Sequence, residues 1–379
     1  MESFVFATSA RIEFGAGRVA QLPQLVAGLG ARPLVVTGGR PQRLAAVTGS
    51  LTDSAVFAVA QEPTFDIARA GLAAALSHGA DVVVGLGGGS VLDTAKIIAA
   101  LASNGGDPLD YAEVIGAGQP LSRPALPVVA VPTTSGTGSE VTANGVLAAP
   151  EHSVKVSLRS TTMLPRVALV DPALTLDLPP AVTAHSGLDA LVQCVEPFVT
   201  PFANPLTDGF ARTGIARSGR SLRRAYADGS DLAARTDLAL ASLLSGLCLA
   251  NAKLGAAHGI AAPAGGLLGA PHGAITAAVM PAVCRHNLAA ARAGQAPRAV
   301  EERYAEVGYL LTGRRTPEAG IEWFAQTAAL LGVEGLASYG LTEAQIPALA
   351  EASARSSSSK GNPVSLTPSD FEAILTESL

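Results

Sequence analysis

GLGGGSVLDTAK, residues 85–96, is the stretch from which the architecture of this chain follows most directly. It overlaps an apolar, strand-like run at 81–87, DVVVGLG, and places three consecutive glycines directly before a helix-forming sequence. Glycines at such a turn let backbone N–H groups approach a phosphate, and the helix that follows presents its positive end to the same anion. The stretch therefore predicts a strand, a phosphate-binding turn and a helix, and a tight turn that holds no ligand is the alternative. The candidate phosphate-binding residues are Gly87, Gly88, Gly89 and Ser90.

The start of that helix also carries a capping pattern. Ser90 is predicted to cap the helix, and Asp93, three residues on, is predicted to reach back in a capping-box arrangement. Asp93 is therefore included among the residues of the candidate nucleotide site.

A second polar, glycine-rich segment follows another apolar run. Residues 131–142 read VPTTSGTGSEVT, and their hydroxyl groups come from Thr133, Thr134, Thr137 and Ser139. Ligands of open α/β sheets bind at the carboxyl ends of the strands, so two such strand ends predict one nucleotide site. Neither segment matches GxGxxG, so the ordinary Rossmann fingerprint is absent.

The first strong strand, at 33–37, ends without the carboxylate that commonly holds the ribose of NAD. The sequence there reads VVTGGRPQR, so Gly38 and Gly39 supply no acid, and Arg40 can bind the 2′-phosphate of NADP. This favours NADP(H), or use of both cofactors, over strict NAD(H). An exposed surface arginine is the alternative.

The wider pattern predicts two domains of different class. Apolar runs at 33–37, 55–59, 81–87 and 127–133 alternate with helical sequence, which predicts a parallel sheet covered by helices. Beyond Pro179-Pro180 the strand-like runs nearly vanish, and segments such as 233–254 and 299–311 have helical periodicity. We therefore predict an α/β nucleotide-binding domain over 1–179 and a helical domain over 180–379, with Thr183 as the cap of its first helix.

Composition excludes several classes of protein. The chain has 379 residues, 48% hydrophobic but only 4% aromatic, and a formal charge of −5 without a basic stripe, so nucleic acid is not expected as a partner. The mean hydropathy is +0.35, yet Gly, Pro or charged residues interrupt the apolar runs, so no membrane span is expected. Three scattered cysteines predict no disulfide framework, and the N-terminal sequence lacks a secretion signal, so we expect a cytoplasmic protein.

Four motifs in order resemble the group III, iron-containing alcohol dehydrogenase family. They are GGGSVLDTAK, PTTSGTGSEVT, GLDAL at 187–191 and HGIAAPAGGLLGAPHG at 258–273, and the likeness runs from FGAG near residue 14 to NP at 362–363. The resemblance implies an α/β domain that binds NAD or NADP, a helical domain, a cleft between them for the cofactor, a small alcohol or carbonyl substrate, and a homodimer. It also implies Lys155 as a cation near the ribose or phosphates of the cofactor, with a solvated strand lysine as the alternative.

The resemblance further implies a divalent metal, iron or zinc, held by one Asp and three His. The matching residues are Asp189, His258 and His272, while Gln193 stands four residues after the Asp, where the family has its other histidine. A Gln can coordinate through its amide oxygen but is a weaker ligand than imidazole. His258 and His272 are expected in a hinge rich in Gly and Pro between helices. The chain also has Ala262 where many relatives carry a proton-relaying histidine, so the proton donor is not identified.

The implied reaction is hydride transfer between the nicotinamide and a substrate carbon whose oxygen is polarised by the metal. Four alternatives stay open at this point. The chain also resembles the maleylacetate reductases, which work without a metal. It is compatible with a hydroxyacid or polyol dehydrogenase, with a dehydroquinate-synthase-like lyase, and with a nucleotide-binding module that has lost catalysis.

Overall fold

A computed structural model describes residues 3–152 and 154–379 of the chain. The chain divides into two compact units. One consists of residues 7–134 and 138–175, and the other of residues 176–379 together with 135–137 and a few residues before residue 7. We call them the α/β unit and the helical unit.

The α/β unit contains one six-stranded sheet and one hairpin. The strands of the sheet are β1 (Arg11–Phe14), β2 (Pro33–Gly38), β3 (Ala55–Val59), β4 (Val82–Gly87), β5 (Val128–Pro132) and β8 (Val167–Val170). All pair in parallel, in the order β1-β8-β5-β4-β2-β3. The antiparallel hairpin is β6 (Asn144–Ala149) with β7 (Val154–Arg159). The four predicted strands are confirmed, whereas β1, β8 and the hairpin were not predicted.

Helices cover both faces of this sheet. They are α1 (Leu22–Ala27), α2 (Ala45–Thr48), α3 (Phe65–His78), α4 (Gly89–Asn104) and α5 (Pro108–Tyr111). The central strand β4 is buried along its whole length, with Val82, Val84 and Leu86 packed on the α1 side and Val83 on the α4 side. Each such side chain contributes about 1.5–3 kcal/mol when fully buried, which explains why a central parallel strand consists almost entirely of apolar residues.

The helical unit has nine α-helices, a few short 3-10 turns and no strand among its described residues. The α-helices are α6 (Pro180–Val199), α7 (Pro205–Ala227), α8 (Leu232–Asn251), α9 (Ala256–Leu268), α10 (His272–Arg292), α11 (Ala299–Thr312), α12 (Pro317–Leu330), α13 (Ile346–Arg355) and α14 (Pro368–Glu377). Helix α6 lies in the middle of the unit, buried from Gly187 to its last residue, and packs against α7, α8 and α10. The fold class that we predicted, α/β followed by all-α, is confirmed.

The two ends of the helical unit differ in their caps, and the cap predicted at Thr183 is wrong. Thr367 caps α14 and forms a capping box with Asp370. Thr183 does not cap α6, because the helix begins at Pro180, with Pro179 as its cap residue. Thr183 is instead buried inside the helix, where its hydroxyl accepts a hydrogen bond of 2.7 Å from the guanidinium group of Arg235.

Helix α8 corrects the prediction that no segment has the character of a membrane span. It is 20 residues long and has a mean hydropathy of 1.4 in its most apolar window, so by length and composition alone it could cross a membrane. However, 72% of that window is buried inside the protein, and Arg235 and Asp237 near its start are paired with other side chains of the unit. The apolar sequence of α8 is therefore explained by its packing as a core helix.

Candidate functional site

The first glycine segment forms the predicted strand, turn and helix. Strand β4 ends at Gly87, Gly88 has an extended backbone, and α4 begins at Gly89. A Cβ on Gly87 would lie 2.6 Å from Cγ2 of Val91, and one on Gly88 would lie 3.3 Å from Thr134. A Cβ would thus clash at Gly87 and be tight at Gly88, so glycine lets the strand, the turn and the helix pack closely. The first N–H groups of α4 have no partner within the helix itself, which leaves them able to bind an anion.

The capping box predicted at this helix is wrong. Helix α4 begins one residue before Ser90, and no side chain caps it. Asp93 turns instead toward the second glycine segment, where Oδ1 accepts a hydrogen bond of 2.5 Å from Ser139 Oγ and Oδ2 accepts one of 3.0 Å from the N–H of Val146. Asp93 and Ser139 therefore bind each other.

The two glycine segments lie side by side at the carboxyl edge of the sheet. Strand β5 pairs with β4, and the N–H of Thr133 donates a hydrogen bond of 2.9 Å to the carbonyl of Gly87. Thr133 and Thr134 are half-buried at this edge. Thr137 belongs to the short segment 135–137 that groups with the helical unit, and it is exposed there.

A buried lysine that sequence reasoning missed connects these segments. Lys96 is fully buried, and its Nζ donates hydrogen bonds to the carbonyl of Ser139 (3.0 Å) and to Oγ1 of Thr142 (2.9 Å). It also lies 3.1 Å from Oδ1 of Asp93. Burial lowers the pKa of Lys96 against the attraction of Asp93, and burial raises the pKa of the nearby Glu140 to about 7. The signal in the sequence was an Asp and a Lys three residues apart in an otherwise apolar helix.

The other predicted cofactor residues occupy separate parts of the α/β unit. Gly38 ends β2, which neighbours β4, and Arg40 is exposed just beyond it at the same edge of the sheet. Lys155 lies on the hairpin strand β7, and its Nζ is 2.6 Å from Oε2 of Glu62. Arg40 thus lies near the glycine segments, whereas the charge of Lys155 already has a carboxylate partner.

In the helical unit, three predicted metal ligands form a cluster. Asp189 on α6, His258 on α9 and His272 at the start of α10 each offer one ligand atom, and these atoms lie within 4.8 Å of one another. Nε2 of His258 is 3.6 Å and Nε2 of His272 is 3.8 Å from Oδ1 of Asp189. A Cβ on Gly273 would lie 2.2 Å from the carbonyl oxygen of His185, so glycine is needed for α10 to begin this close to α6.

The predicted hinge around the two histidines is wrong for His258. His258 lies in the first turn of α9 and is 4% exposed, while His272 is the first residue of α10 and 36% of its side chain is exposed. The helix α9 includes Pro263 and ends at Gly269, which has the left-handed conformation typical of a helix end. Only residues 269–271 therefore separate α9 from α10. The two rings are tilted by 52° relative to each other, with their centroids 5.4 Å apart.

The donor chemistry of this cluster fits a divalent cation. Nε2 of His258 is buried and has no hydrogen-bond partner among the described residues, which is costly for a polar atom unless a ligand satisfies it. Burial opposes the charge of Asp189, but attraction to His272 and His258 outweighs it and lowers the pKa of the carboxyl group. Burial likewise opposes the charge of His258, yet Glu196 and Asp189 raise its pKa to about 10. The cluster thus combines a carboxylate with two imidazoles, a set that binds iron or zinc.

Gln193 lies in the same cluster, one helical turn after Asp189. Its Nε2 donates a hydrogen bond of 2.9 Å to Oδ2 of Asp189, and its Oε1 lies 3.2 Å from Oγ of Ser245. Ser245 Oγ also donates a hydrogen bond of 2.8 Å to the carbonyl of Ser242. If the oxygen and nitrogen of the Gln193 amide exchange places, Ser245 Oγ can therefore accept a hydrogen bond from the amide NH2 group. The predicted role of Gln193 as a ligand through its oxygen stays a prediction.

Sequence reasoning missed two further side chains that contact the cluster. Oγ1 of Thr276 donates a hydrogen bond of 3.0 Å to Oδ1 of Asp189. Glu196, buried on α6, holds Nδ1 of His258 at 2.6 Å from its Oε2. The available signal for Glu196 was its spacing, since a residue seven positions after Asp189 lies on the same face of a helix.

Comparisons with known proteins agree with this arrangement. Residues 9–172 match the sequence profile "Iron-containing alcohol dehydrogenase", and residues 183–379 match "Fe-containing alcohol dehydrogenase family, C-terminal". A 1,3-propanediol dehydrogenase of Klebsiella pneumoniae is 37% identical over 317 residues, which are 82% of this chain and 79% of that protein.

Solved structures give the same result. A crystal structure of 1,3-propanediol oxidoreductase superposes with a TM-score of 0.91 at 32% identity, and the match covers 100% of both chains. A sulfoacetaldehyde reductase from Bifidobacterium kashiwanohense, solved in complex with NAD+, superposes with a TM-score of 0.87 at 26% identity over 100% of this chain and 99% of that one. The chain therefore belongs to the iron-containing alcohol dehydrogenase family and is an oxidoreductase that acts on alcohol groups.

Proposed function

We propose that the protein interconverts a small alcohol and its aldehyde or ketone, with a nicotinamide dinucleotide as the hydride carrier and a divalent metal, iron or zinc, as an electrophile. The observation that carries the proposal is the cluster of Asp189, His258 and His272, in which a buried imidazole nitrogen has no partner among the described residues. When bound, such a metal supplies Lewis-acid polarisation of the substrate oxygen.

The residues of the cluster then have separate tasks. Asp189 supplies a negative charge that is held by hydrogen bonds from Thr276 and Gln193, so its orientation is fixed before a cation arrives. His258 and His272 offer ring nitrogens, and a bound cation displaces the proton from the nitrogen that it contacts. Gln193 is proposed as the fourth ligand through its amide oxygen, after the amide turns over and gives up its hydrogen bond to Asp189. A neutral amide in place of an imidazole predicts weaker metal binding.

For the cofactor, we propose that the turn at Gly87, Gly88, Gly89 and Ser90, with Thr133 and Thr134 beside it, holds the phosphates of NAD(H) or NADP(H). The support is the close packing of these two segments at the carboxyl edge of the sheet. Asp93 and Ser139 support this site by bonding to each other. Thr137 and Lys155 stay candidates for contacts with the cofactor.

The proton of the alcohol has no protein imidazole at position 262 to receive it, since Ala262 is there. We propose that water or a cofactor hydroxyl carries it. The protein's own contribution is to bind, orient and polarise the substrate, with no residue assigned as acid or base.

The test is a panel of short alcohols and aldehydes with NAD(H) and NADP(H), assayed by nicotinamide absorbance after metal removal and after addition of Fe2+ or Zn2+. Activity that returns only with metal supports the proposal. Asp189→Ala is expected to abolish metal binding and turnover and to leave cofactor binding intact, because Asp189 lies in the helical unit and the proposed phosphate-binding residues 87–90, 133 and 134 lie in the α/β unit. Unchanged activity of this variant would remove the metal from the mechanism.

A metal-independent reductase similar to the maleylacetate reductases is the second candidate. The observation in its favour is that Gln193 stands in place of a ligand and donates to Asp189. Full activity after treatment with a chelator, in a sample without bound iron or zinc, would select it. Since the relatives named above are dehydrogenases and reductases, a lyase and a non-enzymatic module are set aside.

A further inference from the structure

Glu196 lies behind the cluster of ligands on α6, and its two carboxylate oxygens face two different donors. Oε2 is 2.6 Å from Nδ1 of His258, and Oε1 accepts a hydrogen bond of 2.7 Å from the backbone N–H of Ala257. We propose that Glu196 is a positioning residue that keeps a proton on Nδ1 of His258 and thereby leaves Nε2 as the nitrogen that binds a metal. The inference rests on the proposed function, because it assumes a metal at Asp189, His258 and His272.

The position of the carboxylate is fixed from both sides. Glu196 is 3% exposed, so water does not compete for its oxygens. The N–H of Ala257 belongs to the first turn of α9, where it has no partner within the helix and points at Oε1. A Cβ on Gly255 would lie 2.9 Å from Oε1, so glycine at this position lets the start of α9 approach the carboxylate. The carboxylate and the histidine ring therefore have little freedom to rearrange.

The other nitrogen of the same ring faces the cluster. Nε2 of His258 lies 3.6 Å from Oδ1 of Asp189 and has no hydrogen bond among the described residues. In metal sites, a ligating imidazole commonly donates its second N–H to a carboxylate, which fixes the tautomer and strengthens the ligand. Glu196 is the carboxylate that accepts from Nδ1 of His258, while Nε2 of the same ring faces Asp189.

The backbone donor at Ala257 makes Glu196→Gln a sharp test. An amide at position 196 must place its oxygen toward the N–H of Ala257, because two donors repel. Its NH2 group then faces Nδ1 of His258, which must become an acceptor and carry its proton on Nε2 instead. The substitution keeps the shape of the side chain and turns the ligand nitrogen into a donor.

The first measurement is the affinity for Zn2+, by competition with a chromogenic chelator. Glu196→Gln is expected to bind Zn2+ roughly 10- to 100-fold more weakly than the unmodified protein, the usual effect of losing such a partner. Asp237→Asn is the matched control, because it also removes a buried carboxylate of the helical unit, one that is bonded to arginines and Ser221. The control is expected to leave the Zn2+ affinity unchanged. Equal affinity of Glu196→Gln and the unmodified protein would overturn the inference.

The second measurement needs no metal and is made on the unmodified protein, with one variant used only to assign the signal. In metal-free protein with 15N-labelled histidine, at a pH where the ring of His258 carries a single proton, the inference expects that proton on Nδ1. The signal is assigned through its loss in His258→Asn. An unprotonated Nδ1 would overturn the inference even if the protein binds Zn2+. A protonated Nδ1 in a protein that binds neither Zn2+ nor Fe2+ would refute the proposed metal and leave the role of Glu196 in fixing the tautomer supported.

Discussion

Lys96→Met preserves the length of a fully buried side chain and removes its charge. The carbonyl of Ser139 loses its donor, which costs about 1–3 kcal/mol for a buried group. Asp93 loses its cation but keeps the hydrogen bonds from Ser139 Oγ and Val146 N–H. Breaking a buried ion pair costs about 3–5 kcal/mol. The Asp93 side chain is 16% exposed and keeps two hydrogen bonds. We therefore expect Lys96→Met to lower the free energy of unfolding by about 3 kcal/mol, near the lower end of that range.

The assay is urea unfolding at neutral pH, followed by two probes that report on different parts of the chain. The single tryptophan, Trp323, lies on α12, so its fluorescence reports the helical unit, whereas far-ultraviolet circular dichroism reports both units. Lys96 lies in the α/β unit, so the variant is expected to lower the midpoint of the dichroism transition more than that of the fluorescence transition. The Michaelis constant for the cofactor is expected to rise, because the Ser139 segment loses two of its bonds.

Lys360→Met is the control for this experiment, since it removes the same charge from an exposed position. It is expected to change the free energy of unfolding by less than about 0.5 kcal/mol. If Lys96→Met costs no more than this control, the buried bonds of Lys96 do not hold the two glycine segments together, and the reasoning fails.

Two further predictions concern other charged side chains. Burial would raise the pKa of Asp237, but hydrogen bonds from Arg220, Ser221 and Arg217 lower it to about 2. Asp237→Asn is therefore expected to reduce the free energy of unfolding, measured by tryptophan fluorescence in urea, by about 2 kcal/mol above pH 5. This difference should shrink as the pH falls from about 4 toward 2, and a constant difference across that range would contradict it. Arg40→Ala is expected to raise the Michaelis constant for NADP+ roughly tenfold relative to that for NAD+, whereas an unchanged ratio would make Arg40 a surface arginine.

Regularities within single elements were predictable from the sequence. The run of apolar residues in β4 and the glycines after it predicted a central strand, a turn and a helix, and the structure has all three. Residues four apart on a helix share a face, so Asp189 and Gln193 were expected together, and they are hydrogen-bonded. Strands β1 and β8 escaped prediction because each is only four residues long and gains its hydrogen bonds from neighbours distant in the sequence.

Errors arose where the sequence offered two local solutions. Ser90 and Asp93 have the spacing of a capping box, yet Asp93 gains more from Ser139, a residue 46 positions away. The glycines and prolines around His258 and His272 indicated a hinge, but packing against α10 and α13 holds residues 256–268 in a helix. In both cases a tertiary contact outweighed a local preference.

The sequence by itself determined the class of each unit, the two glycine segments, and the candidate ligands Asp189, His258 and His272, because periodicity and residue type act along one strand or helix. Only the tertiary structure decided how polar groups pair in the interior. Glu196 and His258 are 62 residues apart, and the contacts of Lys96 reach 46 residues away, so spacing can mark Glu196 and Lys96 but cannot reveal these distant partners. The physical reason is that a buried polar group must find a partner wherever packing brings one, and packing is settled by the whole chain.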